Sequence, residues 1–213
     1  MLILASSSKA RRDLLIKAGI EHKVIVSDVD EEKFEKNDII SLVELLAEAK
    51  ANNVVSKVFT SPLEENSIKI ISAVLGCDSL FEFEGEIYGK PRNKKEAICR
   101  WEKMSSRIGY LHTGHCLRFR ENSWNQTTKS IDFSSQVKVV VTTKIRFSEM
   151  NIDEIVKYVE TGEPMKCAGG FALDGIGGMF IKEIEGCYSN VLGLSLPWLR
   201  YVLKKFDLLN NLI

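Results

Sequence analysis

The chain has 213 residues, 45% hydrophobic and 27% charged, with Lys+Arg and Asp+Glu equal at 29 each. That length suffices for one substantial core or two lobes, and the balanced charge excludes a global field recruiting nucleic acid or a membrane surface. The five cysteines lack any Cys-x-x-Cys pair, no basic leader precedes Leu2–Ala5, and no apolar run nears the roughly 18 residues of a membrane span, so the composition reads as a cytoplasmic protein with reduced thiols.

Leu2–Ala5 reads as a buried strand, and the serines after it open a predicted helix over 9–18 stopped by Gly19, followed by a strand at 23–26. Lys9, Arg11 and Arg12 lie in the first turn of that helix. Basic residues are electrostatically misplaced there, because the dipole end is already positive. An anion held by free backbone N–H groups, serine hydroxyls and two guanidinium forks accounts for them. The turn reads as a phosphate site without the glycine-rich run of a Walker loop; a surface helix with stray arginines has the same pattern.

A helix is predicted over 41–56, with Ser41 and Glu44 as a capping box and Leu42, Leu45, Leu46 and Ala49 as its apolar stripe. After a loop around Pro62, a buried strand over 68–75 ends in Gly76-Cys-Asp78, and 81–88 alternates around Glu84-Gly85 as a hairpin. Helix 93–104 carries Asn93 as N-cap and Ala97, Ile98, Trp101 and Met104 inward. Strands near 110–119 and 136–147 flank a polar loop insertion, 120–136. Helix 149–160 presents Ile152, Ile155, Val156 and Val159 on one face. A glycine cluster at 169–178, a strand near 179–183 and a helix from Ser195 complete the chain. Hairpins among alternating strands and helices imply a mixed sheet.

Asp78, at the end of the best-defined strand, stands where ligands of open α/β sheets gather. It can hold a divalent metal or take a proton from water, or merely start the turn into Ser79. Pro91 restricts Lys90 to an extended backbone, which points an ammonium or leaves a plain surface lysine. Lys50 lies near the stripe of its helix, where snorkelling to solvent is the usual fate. The acids of Ser27-Asp-Val-Asp-Glu31 are solvated loop charge or part of a metal site. The 169–178 glycines can let backbone approach a nucleotide, but not in the G-x-G-x-x-G order. His112 and His115 have no nucleophile motif beside them and are not assigned to catalysis. Together the basic residues, the acid and the glycine-rich backbone suit a nucleoside triphosphate with Mg²⁺.

Several blocks match one family: Leu4-Ala-Ser-Ser-Ser-Lys-Ala-Arg-Arg-Asp-Leu-Leu15, Val29-Asp-Glu31, Ala49-Lys50, Gly76-Cys-Asp78 and Gly85-Glu-Ile-Tyr-Gly-Lys-Pro91. His112-Thr-Gly114, Thr161-Gly-Glu-Pro164, Cys167-Ala-Gly-Gly-Phe171, Asp174-Gly175 and Gly186-Cys-Tyr-Ser-Asn-Val-Leu-Gly-Leu194 continue it. On these the chain closely resembles the Maf-like nucleotide pyrophosphatases over nearly its full length. The resemblance implies a single domain over 1–213 with a two-lobed α/β fold of the Maf/ITPase kind: a mixed twisted sheet flanked by helices, with a deep central cleft. It implies a homodimer that hydrolyses a nucleoside triphosphate to the monophosphate and pyrophosphate with a divalent cation, Mg²⁺ or Mn²⁺. By matching positions, Asp78 would accept the proton from water. Ser6, Ser8, Arg11, Arg12, Lys50 and Lys90 would bind the phosphates, and Glu31 would join Asp78 at the metal.

Two departures bear on this. The family's usual Ser-Pro-Arg-Arg stands here as Ser8-Lys-Ala-Arg-Arg12, with the proline lost and one residue added. Asp174 occupies a place where members acting on dTTP and UTP commonly carry glutamine and those acting on 7-methyl-GTP an acid. A carboxylate accepts from the N1 and N2 donors of guanine, whereas uracil's flanking carbonyls repel it. Asp174 is therefore expected to bias the site toward guanine-like or modified bases. The rival from another class is a nucleotide-binding regulator of cell division without turnover.

Overall fold

The computed structural model describes residues 1–34, 38–60, 71–120 and 133–209. The loop at Pro62, the first part of the strand predicted at 68–75, and residues 121–132 of the predicted insertion lie outside these. The elements in chain order are β1 (Leu2–Leu4), α1 (Lys9–Lys17), β2 (His22–Val24), α2 (Ile39–Thr60), β3 (Ala73–Phe83), β4 (Glu86–Tyr88) and α3 (Lys94–Met104). There follow β5 (Ile108–Phe119), β6 (Ser135–Phe147), α4 (Ile152–Glu160), β7 (Ile181–Glu185), α5 (Tyr188–Val191) and α6 (Leu196–Lys205), with short 3-10 turns between. Seven strands form one sheet in the order β2-β1-β3-β5-β6-β7, with β4 paired to β3. β1 runs parallel to β2 and β3, while β3–β4 and β6–β7 are antiparallel, so the sheet is mixed as expected.

The chain falls into two compact units, Met1–Asp78 with Gly114–Val140 and Leu194–Ile213, and Ser79–Thr113 with Val141–Gly193. In the first unit, β1 buries Leu2, Ile3 and Leu4 completely, each contributing ~1.5–3 kcal/mol. Helix α2 is longer than the predicted 41–56. Its start is capped by Asp38, whose Oδ1 accepts from Ser41 N–H at 2.8 Å, so the expected Ser41–Glu44 capping box is not formed. The acid three residues earlier takes the role because its full charge also suits the positive helix end. The buried face of α2 is Val43, Leu46, Ala47, Ala51, Val54 and Val58 rather than the stripe through Leu42, Leu45 and Ala49.

Two glycines set that phase. A Cβ on Gly76 would sit 2.2 Å from the Ala47 carbonyl oxygen, and one on Gly114 would sit 2.0 Å from that of Val43. Only glycine lets the backbone of α2 come this close to β3 and β5.

The second unit is built on aromatic packing. Phe81, Phe83, Tyr88, Trp101, Phe147, Tyr158 and Phe171 form one buried cluster with Ala97, Met104 and Ile155. The expected hairpin is present: Phe81 pairs with Tyr88 and Phe83 with Glu86, and Glu84 and Gly85 both take positive φ, as a type I′ turn requires. Helix α3 begins at the predicted Asn93 cap, which accepts from Glu96 N–H at 2.9 Å. In α4, Ile155, Tyr158 and Val159 are buried, but Ile152, expected inward, is exposed. Ile152 is the first helical residue, inside the Asn151–Glu154 capping box, and sits on the solvent side of the first turn.

Candidate active site

The β1–α1 turn folds onto its own serines. Ser8 is the N-cap of α1 and accepts from Arg11 N–H at 3.4 Å, while Ser8 N–H donates to Ser6 Oγ at 3.2 Å. Donors expected to be free for an anion are thus partly occupied by the chain, a correction to the sequence reading. Each hydroxyl keeps its own O–H to donate.

The two guanidinium groups part company. Arg11 is buried and donates through Nη1 to the Cys77 carbonyl at 2.8 Å and to Ser6 Oγ at 3.2 Å, which ties the turn to β3. Arg12, one position on, faces solvent, as does Lys9.

Asp78 lies inside β3, not at its end as the sequence reading held. Residues 76 and 78 share one face of the strand, so the face that admits α2 at Gly76 turns Asp78 toward the same helix. Lys50, one residue before Ala51 on α2, bonds the Asp78 carboxylate through Nζ. The same ammonium pairs with Glu31 Oε1 at 2.7 Å. The Lys50 side chain is only 12% exposed and that of Asp78 7%, whereas Glu31 is 55% exposed. Solvent therefore reaches this triad from the Glu31 side. Lys50 does not snorkel away, because it adjoins Ala51 at the edge of the buried face of α2 and its ammonium is held by Asp78.

Burial pushes the Asp78 carboxyl above the usual aspartate value, against the charge and hydrogen bond of Lys50 and the charge of Arg11, with Glu31 adding to the rise. The neighbouring Cys77 thiol is pushed up to about 11, again by burial first, and is no nucleophile at neutral pH.

A hard cation suits this donor set. Among the described residues no group of three or more His, Cys, Asp or Glu side chains converges, so no all-protein cage exists. Two carboxylates that already share one ammonium can share a divalent ion when phosphate oxygens and water complete its shell, the usual arrangement for Mg²⁺.

Lys90 and Asp174 belong to the second unit, where both are exposed. Their charges meet at the half-buried Cys167 thiol, which burial raises, Glu163 and Asp174 raise further, and Lys90 lowers. His112 is held by Glu82 through Nε2 at 2.9 Å and Thr142 through Nδ1 at 2.8 Å. In the first unit, His115 Nε2 accepts from Ser195 N–H at 2.9 Å at the start of α6. Both histidines are engaged with strand or cap partners.

Two residues of structural weight go unmarked by the motifs: Gly76, which seats α2, and Glu163, whose carboxylate gathers the glycine loop that follows Asp174. The available signals were the glycine two positions before Asp78, on the same strand face, and the pairing of Glu163-Pro164 with a glycine-rich stretch.

A mixed α/β sheet with a buried acid, an ammonium and a guanidinium beside a strand-to-helix turn defines a protein suited to phosphoanhydride hydrolysis. The family model described as Maf-like protein matches residues 1–206, and the chain belongs to the Maf-like family. It is 57% identical over 205 residues to a protein of Prochlorococcus marinus strain SARG named nucleoside triphosphate pyrophosphatase, covering 96% of this chain and 97% of that one. A protein of the same name from strain NATL2A is 51% identical over 209 residues, covering 98% and 97%. One from Synechococcus sp. is 48% identical over 201 residues, covering 94% and 100%.

Proposed function

We infer that this chain is a nucleoside triphosphate pyrophosphatase, and the observation that carries the reading is the buried Asp78 carboxylate ion-paired to Lys50 beside Arg11. Water attacks the α-phosphorus and gives its proton to an Asp78 oxygen. The bond from the α-phosphorus to the bridging oxygen breaks, and the products are the nucleoside monophosphate and pyrophosphate. Asp78 must be ionised to act as base, and the adjacent Lys50 and Arg11 charges favour that form against burial. Ser6, Ser8, Arg11, Arg12, Lys50 and Lys90 are assigned to the phosphate chain. The bonds from Arg11 Nη1 to the Cys77 carbonyl and to Ser6 Oγ fix the position of the guanidinium beside Asp78.

Asp78 and Glu31 would hold a divalent cation, which supplies charge neutralisation at the phosphate oxygens when bound. Asp174 selects for guanine-like or modified bases by accepting from ring donors, and its exposure leaves its oxygens open to a ligand. The five free cysteines support a cytoplasmic setting; no described helix is long and apolar enough to cross a membrane. A homodimer is proposed from the family resemblance alone and is tested by light scattering.

The test is product identity. Purified protein with Mg²⁺ or Mn²⁺ and a panel of canonical and methylated triphosphates is expected to release pyrophosphate, not orthophosphate. Asp78→Asn should lower turnover about 10²–10⁴-fold, the range for loss of a general base, with fold and nucleotide binding retained. Nucleotide binding by the parent protein without pyrophosphate release would overturn the reading in favour of a regulator.

A further inference from the structure

The carboxylate of Glu163, in the second unit, touches three groups. Oε1 accepts from the Tyr158 hydroxyl at 2.7 Å and from Gly177 N–H at 2.8 Å; Oε2 accepts from Ile176 N–H at 2.9 Å. The glycines around it leave the clamp room: a Cβ on Gly175 would fall 2.2 Å from Glu163 Oε2, and one on Gly177 would fall 2.4 Å from the Tyr158 hydroxyl oxygen and 2.8 Å from the Ala172 carbonyl oxygen. Tyr158 is fixed in turn by the aromatic cluster, edge-on to Trp101 with ring centroids 5.2 Å apart. Thr161 Oγ1 donates to the Tyr158 carbonyl at 2.7 Å and accepts from Glu163 N–H at 3.2 Å, which sets the approach of the glutamate. The segment so held, 175–177, follows Asp174 directly.

Charge-assisted bonds from a carboxylate to backbone N–H groups are about twice as strong as neutral ones. Two of them anchor a loop of small residues that would otherwise have wide freedom. A base-reading side chain misplaced by about 1 Å loses much of its effect, so an anchor immediately after Asp174 controls how well it reads.

We propose that Glu163 is a positioning residue for base selection: braced by Tyr158, it holds the 172–178 loop so that the site discriminates between bases. The inference rests on the reading of Asp174 as the base-selective carboxylate. It adds the residue through which that selectivity is enforced.

Glu163→Gln tests it. The amide keeps the shape and one acceptor, but its NH₂ must oppose either the Ile176 or the Gly177 N–H, donor against donor. Two readouts are taken on the full chain, with Asp174→Ala measured alongside. Hydrogen exchange at the Ile176 and Gly177 amides should rise at least about tenfold in Glu163→Gln. The kcat/KM ratio of 7-methyl-GTP over UTP should fall about tenfold, through KM rather than kcat. Tyr158→Phe, which retains the ring and removes the hydroxyl that donates to Glu163 and accepts from the Ala172 backbone, should move both readouts in the same direction by less, and serves if Glu163→Gln fails to fold.

In the Asp174→Ala background the substitution should have no further effect on the ratio. Unchanged amide exchange, or a raised exchange with an unchanged ratio, overturns the positioning role. If Asp174→Ala leaves the ratio unmoved while Glu163→Gln shifts it, the Asp174 reading fails and the clamp stands, acting through the loop backbone. If neither substitution moves the ratio, both fall.

Discussion

The two units solve different problems with different materials. The first keeps its side chains small and aliphatic where α2 meets the sheet, with Ala47, Ala51 and Cys116 in one buried group and Gly76 and Gly114 beneath the helix. The second fills its interior with rings and has no buried Lys, Arg, Asp or Glu among its described residues. The contrast follows from what each must hold. A lysine and an aspartate can pair inside a protein only if backbone and stem are brought close enough to pair them fully, since an uncompensated buried charge is costly. Small residues give that proximity. The glycine-rich loop held by Glu163 needs a stiff floor instead, and a cluster of edge-on aromatics, each pair worth ~0.5–1.5 kcal/mol beyond area burial, provides one.

The largest break in this comparison is expected from Trp101→Ala. Trp101 is fully buried, packs edge-on against Phe147, Tyr158 and Phe180, and donates through Nε1 to the Gly170 carbonyl at 2.9 Å. Removing it should cost about 3–5 kcal/mol and leave that carbonyl unpaired. Denaturant titration measures the loss. Limited proteolysis should show the first cuts within 79–113 or 141–193, and early cuts within α1 or α2 would count against separate packing of the units.

Gly76→Ala attacks the other side. Its Cβ would meet the Ala47 carbonyl oxygen at 2.2 Å and the Ala51 amide nitrogen at 2.7 Å, and neither backbone atom can rotate away as a side chain would. Overpacking of this kind costs about 1–3 kcal/mol. Its functional effect should be larger than its stability effect, because displacing α2 carries Lys50 away from Asp78. The expected outcome is a loss of at least about tenfold in kcat with a cooperative unfolding transition preserved. A variant that keeps full turnover would show that the ion pair tolerates movement of the helix.

These two positions also mark where the sequence was legible and where it was not. The hairpin at Glu84-Gly85, the Asn93 cap, the helix start at Ser195 and the α1 turn were readable because each depends on residues close in sequence. The phase of α2 was not. Ile39, Ile40, Leu42, Val43, Leu45 and Leu46 place apolar groups almost all round its first turns, so periodicity alone cannot choose a face. Gly76 and Gly114, distant in sequence, choose it. That one rotation decides whether Lys50 points to solvent or to Asp78, so the candidate site could be named residue by residue before its central ion pair could be seen. Asp78 was misplaced at a strand end for a related reason: an aspartate after Gly-Cys resembles a turn, but its side chain leaves from the face that Gly76 opens, and the strand runs on to Phe83.

The smallest expected effect sharpens the contrast between buried and exposed charge. On α3, Glu96 Oε2 accepts from both the side chain and the backbone N–H of Arg92, and Oε1 accepts from Arg100 Nη2 at 2.6 Å. The Arg92 bonds, aided by Arg100, hold the Glu96 carboxyl down at about 2. Because the folded value lies below the unfolded one, the contribution to stability is fully present above the unfolded pKa of ~4.5 and is lost as pH falls toward the folded value. Glu96→Gln should therefore lower Tm slightly near neutrality, and the gap to the parent protein should close between about pH 5 and about pH 2. Added salt should narrow the same gap in part, since Arg92, the partner that faces solvent, is open to screening. A gap that persists in acid and in salt would mean that Glu96 acts through packing on α3 and not through its charge.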